Sequence, residues 1–289
     1  MIAKHLRRGF TISELVVLIV LLALVLLLPG LMKQRWNASG LDVSLNNVRQ
    51  ILQATAQYRL DNAGRTPMRG CRYSFGSITG GWDTWNAFGK NCDSFWQSYG
   101  GGVFDESAYS RALNSYLQSQ TAPVPAGYLN TGAGATWSFS SGTPSPAQRL
   151  SFEVKKCRSP GDVTSRQRTW PTPIPGVSTY NDVGTSYLLN MKWWVQPGLP
   201  ANFTAHYNAG TDKIRTMPAI RDGARSTETF AWISDSIGDV VANYTGNFTG
   251  EFGGANMSVL GFLSGHASYT TLIPNAISGP GYTFAIPWP

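Results

Sequence analysis

The chain's 289 residues are 42% hydrophobic, 12% aromatic and 13% charged, ample for one large or two small cores, which excludes wholesale disorder. Its 31 Gly and 17 Pro are too few for a collagen-like or low-complexity chain but suit a loop-rich, strand-rich one. A net charge of +7 suggests nucleic acid or an anionic membrane surface, yet Lys4, Arg7 and Arg8 crowd into the first eight positions; without them +4 remains, and nucleic acid is a weak candidate.

One uninterrupted apolar run, Leu15 to Leu28, dominates the N-terminus. Extended through Phe10 and Leu31 it covers 22 residues, broken only by Thr11, Ser13, Glu14, Pro29 and Gly30. At ~1.5 Å rise per residue this matches the ~30 Å hydrocarbon core, so one membrane helix is expected there. A secretory signal should end in a small-residue cleavage site. Here Leu31-Met32-Lys33-Gln34-Arg35-Trp36 follows Pro29-Gly30, and Asn37-Ala38-Ser39 is a poor substitute. A plain anchor explains the hydrophobicity but gives no reason for Glu14, a carboxylate costing ~2–3 kcal/mol at membrane depth.

Arg8-Gly9-Phe10-Thr11-Ile12-Ser13-Glu14-Leu15 resembles the processing signal of type IV pilins and type II secretion pseudopilins. The resemblance implies cleavage by prepilin peptidase between Gly9 and Phe10, N-methylation of Phe10, and an assembly role for Glu14, the fifth residue of the mature chain. An ammonium at Phe10 of one subunit could neutralise Glu14 of its neighbour; alternatively, Glu14 settles against its own helix N-terminus, where negative charge is favoured. The basic leader sets the N-terminus on the cytoplasmic side. The implied organisation is a leader at 1–9, a transmembrane and assembly helix at 10–31, an amphipathic continuation at 32–63, and a periplasmic or extracellular head at 64–289. Implied partners are identical or related subunits, an inner-membrane platform with its ATPase, and the lipid bilayer. No cofactor is implied.

Leu41, Leu45, Val48, Leu52 and Thr55, flanked by Ile51 and Tyr58, form a helical stripe. Asp61-Asn62-Ala63-Gly64 supplies a stop. Pro29-Gly30 should kink or locally melt this long helix, and Gly40 is a second weak point. In an oxidising compartment Cys71 and Cys92 read as a loop-closing disulfide worth roughly 3 kcal/mol. Cys157 is then left over, and its pairing with either of the others is the alternative.

Asp105-Glu106 opens an expected helix with a stripe of Tyr109, Ala112, Leu113, Tyr116 and Leu117, ended by Thr121-Ala122-Pro123. Residues 121–147 read as a loop-rich insertion. Strands are expected at 150–155, 185–195, 228–234, 257–263 and 266–273, the last two joined by a tight turn at Ser264-Gly265. The fold class is therefore α+β, and with the resemblance pilin-like: a long N-terminal helix packed on an antiparallel sheet. Four further segments resemble one branch of pseudopilin-like proteins: Lys156 to Pro160, Thr185 to Asn190, Arg225 to Trp232, and Gly253 to His266. Phe252 stands where that branch has a histidine, and Ser264 where it has an aspartate.

Catalytic signals are sparse. His5 lies in the leader, His206 and His266 are isolated, and His266 reads as structural. No G-x-S-x-G, H-E-x-x-H or phosphate-loop motif occurs. Three cysteines and two usable histidines give no zinc pattern. Asp235 and Asp239, with Glu251, could offer oxygen ligands to calcium, but a solvated turn is the ordinary reading. Residues 149–225 carry 11 basic and 5 acidic residues, whereas 226–289 carry four acids and no Lys or Arg, which suits head-to-head complementarity between stacked subunits. The resulting expectation is a structural filament subunit and not an enzyme. Its rivals are a minor adhesin-like or substrate- or DNA-binding tip subunit, and a membrane-anchored hydrolase.

Overall fold

In the computed structural model of the protein, helix α1 runs from Ile12 to Asp61 without a break. The structure describes residues 12–62, 67, 71–75, 78–81, 84–99, 104–105, 107–109, 111–119, 152–190 and 227–285; side chains are not described at 24–25, 27–36, 71–75, 78–81 and 97–98. The backbone stays helical through Pro29, Gly30 and Gly40, so the melting expected at Pro29-Gly30 does not occur. Gly40 is not a weak point either. It is buried, and a Cβ there would lie 3.1 Å from the Phe252 ring and 3.4 Å from Pro160, so glycine permits the helix to touch the head. The end is made by Asn62, whose backbone and side-chain amides both donate to Tyr58 O.

From Gly40 onward the expected stripe is the buried face. Val48, Ile51, Leu52 and Thr55 are buried, with Leu41, Leu45 and Tyr58 packed at their edge. Thr55 turns its hydroxyl back onto Ile51 O, which lets a polar residue occupy a core position.

The stripe lies on a four-stranded antiparallel sheet in the order β5-β6-β7-β8. Its strands are β5 (Tyr187–Leu189), β6 (Ala231–Asp235), β7 (Met257–Phe262) and β8 (Ala267–Thr271). Side chains alternate across the pleat. Val259 and Gly261 of β7 face α1, while Leu260 and Phe262 face a second core with Ile237, Val241, Leu272, Tyr282 and Phe284. Helix α5 (Ser236–Asn243) supplies that second layer. Both sheet faces are covered, which is why β6 is buried at all five positions. A bulge between Ala231 and Ile233 lets adjacent Trp232 and Ile233 both join the core under α1. The β7–β8 turn forms as expected, with Gly265 at φ 100° and its amide on Phe262 O.

The smaller elements are two-stranded ribbons and short helices. Strand β1 (Cys71–Phe75) pairs with β2 (Ile78–Gly81), β3 (Thr164–Ser165) with β4 (Ile174–Pro175), and β9 (Ser278–Gly279) with β10 (Tyr282–Thr283), all antiparallel. Helices α2 (Phe95–Ser98), α3 (Asn114–Leu117) and α4 (Thr179–Val183) have four or five residues each.

Two expectations fail here for a shared reason. The helix expected from Asp105 contracts to α3, and of the strand expected at 150–155 the described residues 152–154 are irregular and lead into a 3-10 turn at Lys155–Cys157. In the first case side chains satisfy the backbone. Asn114 Nδ2 donates to Gly89 O and Ala108 O at 2.7 Å, and Ala108 N donates to Asn91 Oδ1. In the second, Val154 N donates to the Tyr180 hydroxyl at 3.0 Å in place of a ladder partner. The strand expected at 185–195 is seen at Tyr187–Leu189, and its residues beyond Asn190 lie outside the described residues, as does the insertion at 121–147.

Gly261 sets the helix–sheet distance. A Cβ there would fall 2.5 Å from Val48 Cγ1 and 3.2 Å from Leu52 Cδ1. We expect Gly261→Ala to destabilise the head by about 1–3 kcal/mol through overpacking, and Gly261→Ala with Val48→Ala to recover part of that loss. Denaturant melts of the two variants check it; a neutral single substitution would show the helix to be free to shift.

Candidate functional site

Helix α1 changes environment along its length, and that contrast defines the site. Ile12 is 83% exposed, Leu26 71%, and the apolar residues from Leu15 to Leu22 between 50% and 60%. Among the described residues no side chain of the head buries them, whereas Gly40, Ser44, Asn47 and Val48 are buried. Among the described residues no helix is long and apolar enough to cross a membrane. The run Leu15 to Leu28 includes positions whose side chains lie outside that description. Glu14 stands in the first turn of α1, where the helix dipole favours a carboxylate. Gly9 and Phe10 lie outside the described residues, as does the side chain of Pro29.

The lower half of α1 is held by a chain of polar contacts as well as by its apolar stripe. Ser44 Oγ lies 2.9 Å from the Tyr187 hydroxyl of β5 and donates to Ser159 Oγ at 3.4 Å. Ser159 in turn donates to Glu251 Oε2 at 2.5 Å. Asn47 Nδ2 donates to Arg158 O at 3.0 Å, and Arg49 reaches Ala267 O at 3.5 Å. Three chain regions more than a hundred residues along the chain from these helix residues thus converge on them. Gly161 makes the convergence possible, because a Cβ there would lie 2.9 Å from both Glu251 and the Phe252 ring. The four segments singled out at 156–160, 185–190, 225–232 and 253–266 are neighbours where they are described. Ser159 N donates to Ser186 Oγ, Ser186 N to Cys157 O, β5 pairs with β6, and β6 with β7. The position taken by Phe252 packs on Gly40 and edge-on against Tyr269.

Three carboxyls sit beneath this junction. Burial raises Asp162, against the hydrogen bonds it accepts from Ser186 and the Thr179 and Tyr180 amides. Burial likewise raises Asp235, to about 6. Glu251 is pushed well above the usual range by burial and then by the charges of Asp235 and Asp162. Its Oε1 is enclosed with no hydrogen-bond partner among the described residues. The half-buried Arg166 lies near enough for Asp235 and Glu251 to support its charge against desolvation.

Asp235 is not the solvated turn expected from sequence. It is fully buried, caps α5 by accepting from Gly238 N, and accepts from Ser258 Oγ at 2.6 Å and Val259 N at 2.9 Å. Those bonds occupy the oxygens a cation would need, and no metal-binding group of three or more His, Cys, Asp or Glu occurs among the described residues. Asp239 is bonded to Asn243 one turn on.

His266 is exposed at the hairpin tip, stacked 4.2 Å from the Phe262 ring centre, with Nδ1 2.7 Å from Ser264 Oγ. Ser264 therefore serves the turn. The Cys71 side chain lies outside the described residues, and with it the expected pairing to Cys92. The Cys92 sulfur is buried 3.4 Å from Val183 O and 3.2 Å from Arg111 Nη2. Cys157 is a buried thiol without a bridge, its pKa raised by burial.

Comparison of the chain with protein-family models, with curated proteins and with solved structures gave no match.

The buried acids make the junction pH-dependent in a defined direction. For Asp235 the unfolded value near 3.8 and the native value of about 6 bound a window in which the native state holds more protons. Stability from this source is full below the window and is lost as pH rises through it. Glu251 is raised in the same direction, by burial and by the charges of Asp235 and Asp162, so the melting temperature of the wild type relative to Glu251→Gln should rise as pH is lowered from 7.5 to 5. A difference that is constant over that range would show the carboxyl to be unperturbed.

Proposed function

We propose that the protein is a pilin-like structural subunit of a type II secretion or type IV pilus-like filament, stored in the inner membrane and drawn from it into a helical fibre. The observation that carries this reading is the exposed apolar half of α1, continuous with a half that is locked into the head. A surface of that size and composition is stable only against lipid or against the same surface of other subunits. The motif at Arg8 to Leu15 supports the second alternative after processing. Cleavage after Gly9 would create an ammonium at Phe10, two residues before the helix begins, at the end where Glu14 lies.

In this reading the molecule is a structural building block and turns over no substrate. In the membrane, the ladder of Leu, Val and Ile from residue 12 to 28 satisfies its apolar surface with acyl chains, and Glu14 is the one costly group. On assembly the helices exchange lipid for one another, and Glu14 meets the Phe10 ammonium of a neighbour in a low-dielectric core. Lys4, Arg7 and Arg8 hold the leader on the cytoplasmic side, which directs the head to the periplasm and then the fibre surface. The energy for extraction comes from a cytoplasmic ATPase acting through a membrane platform. The seat at Gly40, Ser44 and Val48 transmits the pull from helix to head.

Native protein from membranes should lack residues 1–9 and carry one methyl on the amine of Phe10, read by intact mass and N-terminal peptide analysis. A mature chain beginning at Met1 or near Ser39, in cells with prepilin peptidase, would overturn the reading. Glu14→Ala should be processed normally and insert more readily, by ~2–3 kcal/mol on insertion scales, yet enter sheared filaments far less than wild type. Incorporation at the wild-type level would leave α1 as a plain anchor.

A further inference from the structure

Lys90 is a buried cation with an unusual set of neighbours. Its side chain is 1% exposed. Its Nζ donates to the Asn181 side-chain carbonyl at 2.9 Å, while the nearest carboxylate oxygen, Glu153 Oε1, is 3.4 Å away. The ammonium also lies 4.6 Å from the centre of the Tyr180 ring. The second oxygen of Glu153 accepts from the Tyr180 hydroxyl at 2.7 Å. An amine, a primary amide and a carboxyl therefore meet at one point, walled by an aromatic ring. The amine's closest approach is to the amide and not to the acid.

We propose that Lys90 and Asn181 become joined by an intramolecular isopeptide bond, formed by the folded protein itself with Glu153 as the proton carrier. In the first step Glu153 accepts a proton from the Lys90 ammonium, leaving a nucleophilic amine. Its lone pair attacks Asn181 Cγ, and the carbonyl π electrons move to Oδ1. Glu153 then returns the proton to Nδ2, the Cγ–Nδ2 bond breaks as the carbonyl re-forms, and ammonia departs. A second proton, lost by the new amide nitrogen, leaves with it as ammonium. One C–N bond forms and one breaks, so the exchange needs no oxidant, metal or cofactor.

The geometry suits this step. With a carbonyl bond of ~1.2 Å, Nζ lies at most about 4.1 Å from Cγ. A shift of under about 1 Å in a long side chain reaches a reactive separation of 3–3.5 Å. The two backbones cannot drift apart. Lys90 N donates to Gly184 O at 2.9 Å, Asp93 N donates to Asp182 O at 2.8 Å, and any side chain at Gly184 would collide with the Lys90 carbonyl. Ser178 caps the helix that carries Asn181 by accepting from Asn181 N. Burial lowers the Lys90 pKa, which enlarges the fraction present as free amine. Asn181 is exposed, so the ammonia released on its side leaves directly to water.

The test is peptide mapping and intact mass of purified full-length protein. The expected result is a single branched species linking the Lys90 and Asn181 peptides, with the whole chain lighter by one ammonia than its processed sequence. Glu153→Gln should restore that mass and release both peptides unlinked. Lys90→Arg should do the same, and persistence of the ammonia loss in Lys90→Arg would assign the loss to another asparagine and overturn the proposal. Recovery of separate, unmodified Lys90 and Asn181 peptides from the wild type would overturn it as well. A linked species persisting in Glu153→Gln would remove the role given to Glu153. The outcome is independent of whether the chain enters a filament, since no residue from 1 to 89 takes part.

Discussion

The close approach of Val48 to Gly261 is the contact on which the molecule depends. A helix can lie this near a strand only where the strand lacks a side chain, and β7 provides that gap in the middle of the sheet. With the distance set, Ile51 and Leu52 enter the core beside Trp232, Ile233 and Val259, and the polar groups of the next turn come within bonding reach of their partners. Ser44 meets Tyr187 and Ser159 because Val48, one turn further on, is seated. A helix lifted by the width of one methyl group would leave those hydroxyls buried and unpaired, at a cost comparable to the packing loss itself.

The same geometry accounts for the concentration of buried polar groups. A sheet covered on both faces has no wet side on which to place the acids that end its strands and start its helices. Asp235 must close β6, cap α5 and hold β7 at once, and it does so from a fully buried position. Asp162 does the equivalent for α4, accepting from the Thr179 and Tyr180 amides. Each is satisfied individually. Their mutual repulsion is felt most by Glu251, whose Oε2 is bonded to Ser159. Arg111 shows the opposite sign of the same logic. Its buried guanidinium donates to the carbonyls of Trp85, Phe88 and Val183, and so substitutes for a ladder in a stretch with no strand.

What could be read from sequence follows from the range of the forces involved. The stripe from Leu41 to Tyr58, strands β7 and β8, and the turn at Ser264-Gly265 were legible because each is written in a local period or a turn residue. The α+β class with antiparallel pairing follows from those elements. The described parts of the segments at 105–121 and 150–155 depart from their local pattern because their hydrogen bonds go to residues distant in sequence: Gly89 and Asn91 in one case, Tyr180 in the other. Nothing in a window of a dozen residues carries that information. Asp235 was read as solvated for a similar reason, since its partner Ser258 lies 23 positions on. The junction of Ser44, Ser159 and Glu251 had no signature at all, being three ordinary polar residues in three separate contexts. The segment from Arg8 to Leu15 is the reverse case: conspicuous in the sequence, with its first four residues outside the described structure.

The pairing of α1 with β7 also orders events in time. The helix leaves the ribosome early, while the strand that receives it is about 200 residues downstream, roughly 10–40 s later at 5–20 residues per second. Throughout that interval the stripe of Val48, Ile51 and Leu52 has no seat, and the chain cannot complete its core from N-terminal material alone. On the filament-subunit proposal, a nascent chain would be committed to the bilayer by its first helix well before it has a folded head, and a chain truncated before Gly261 would be held there by that helix with its core unfinished.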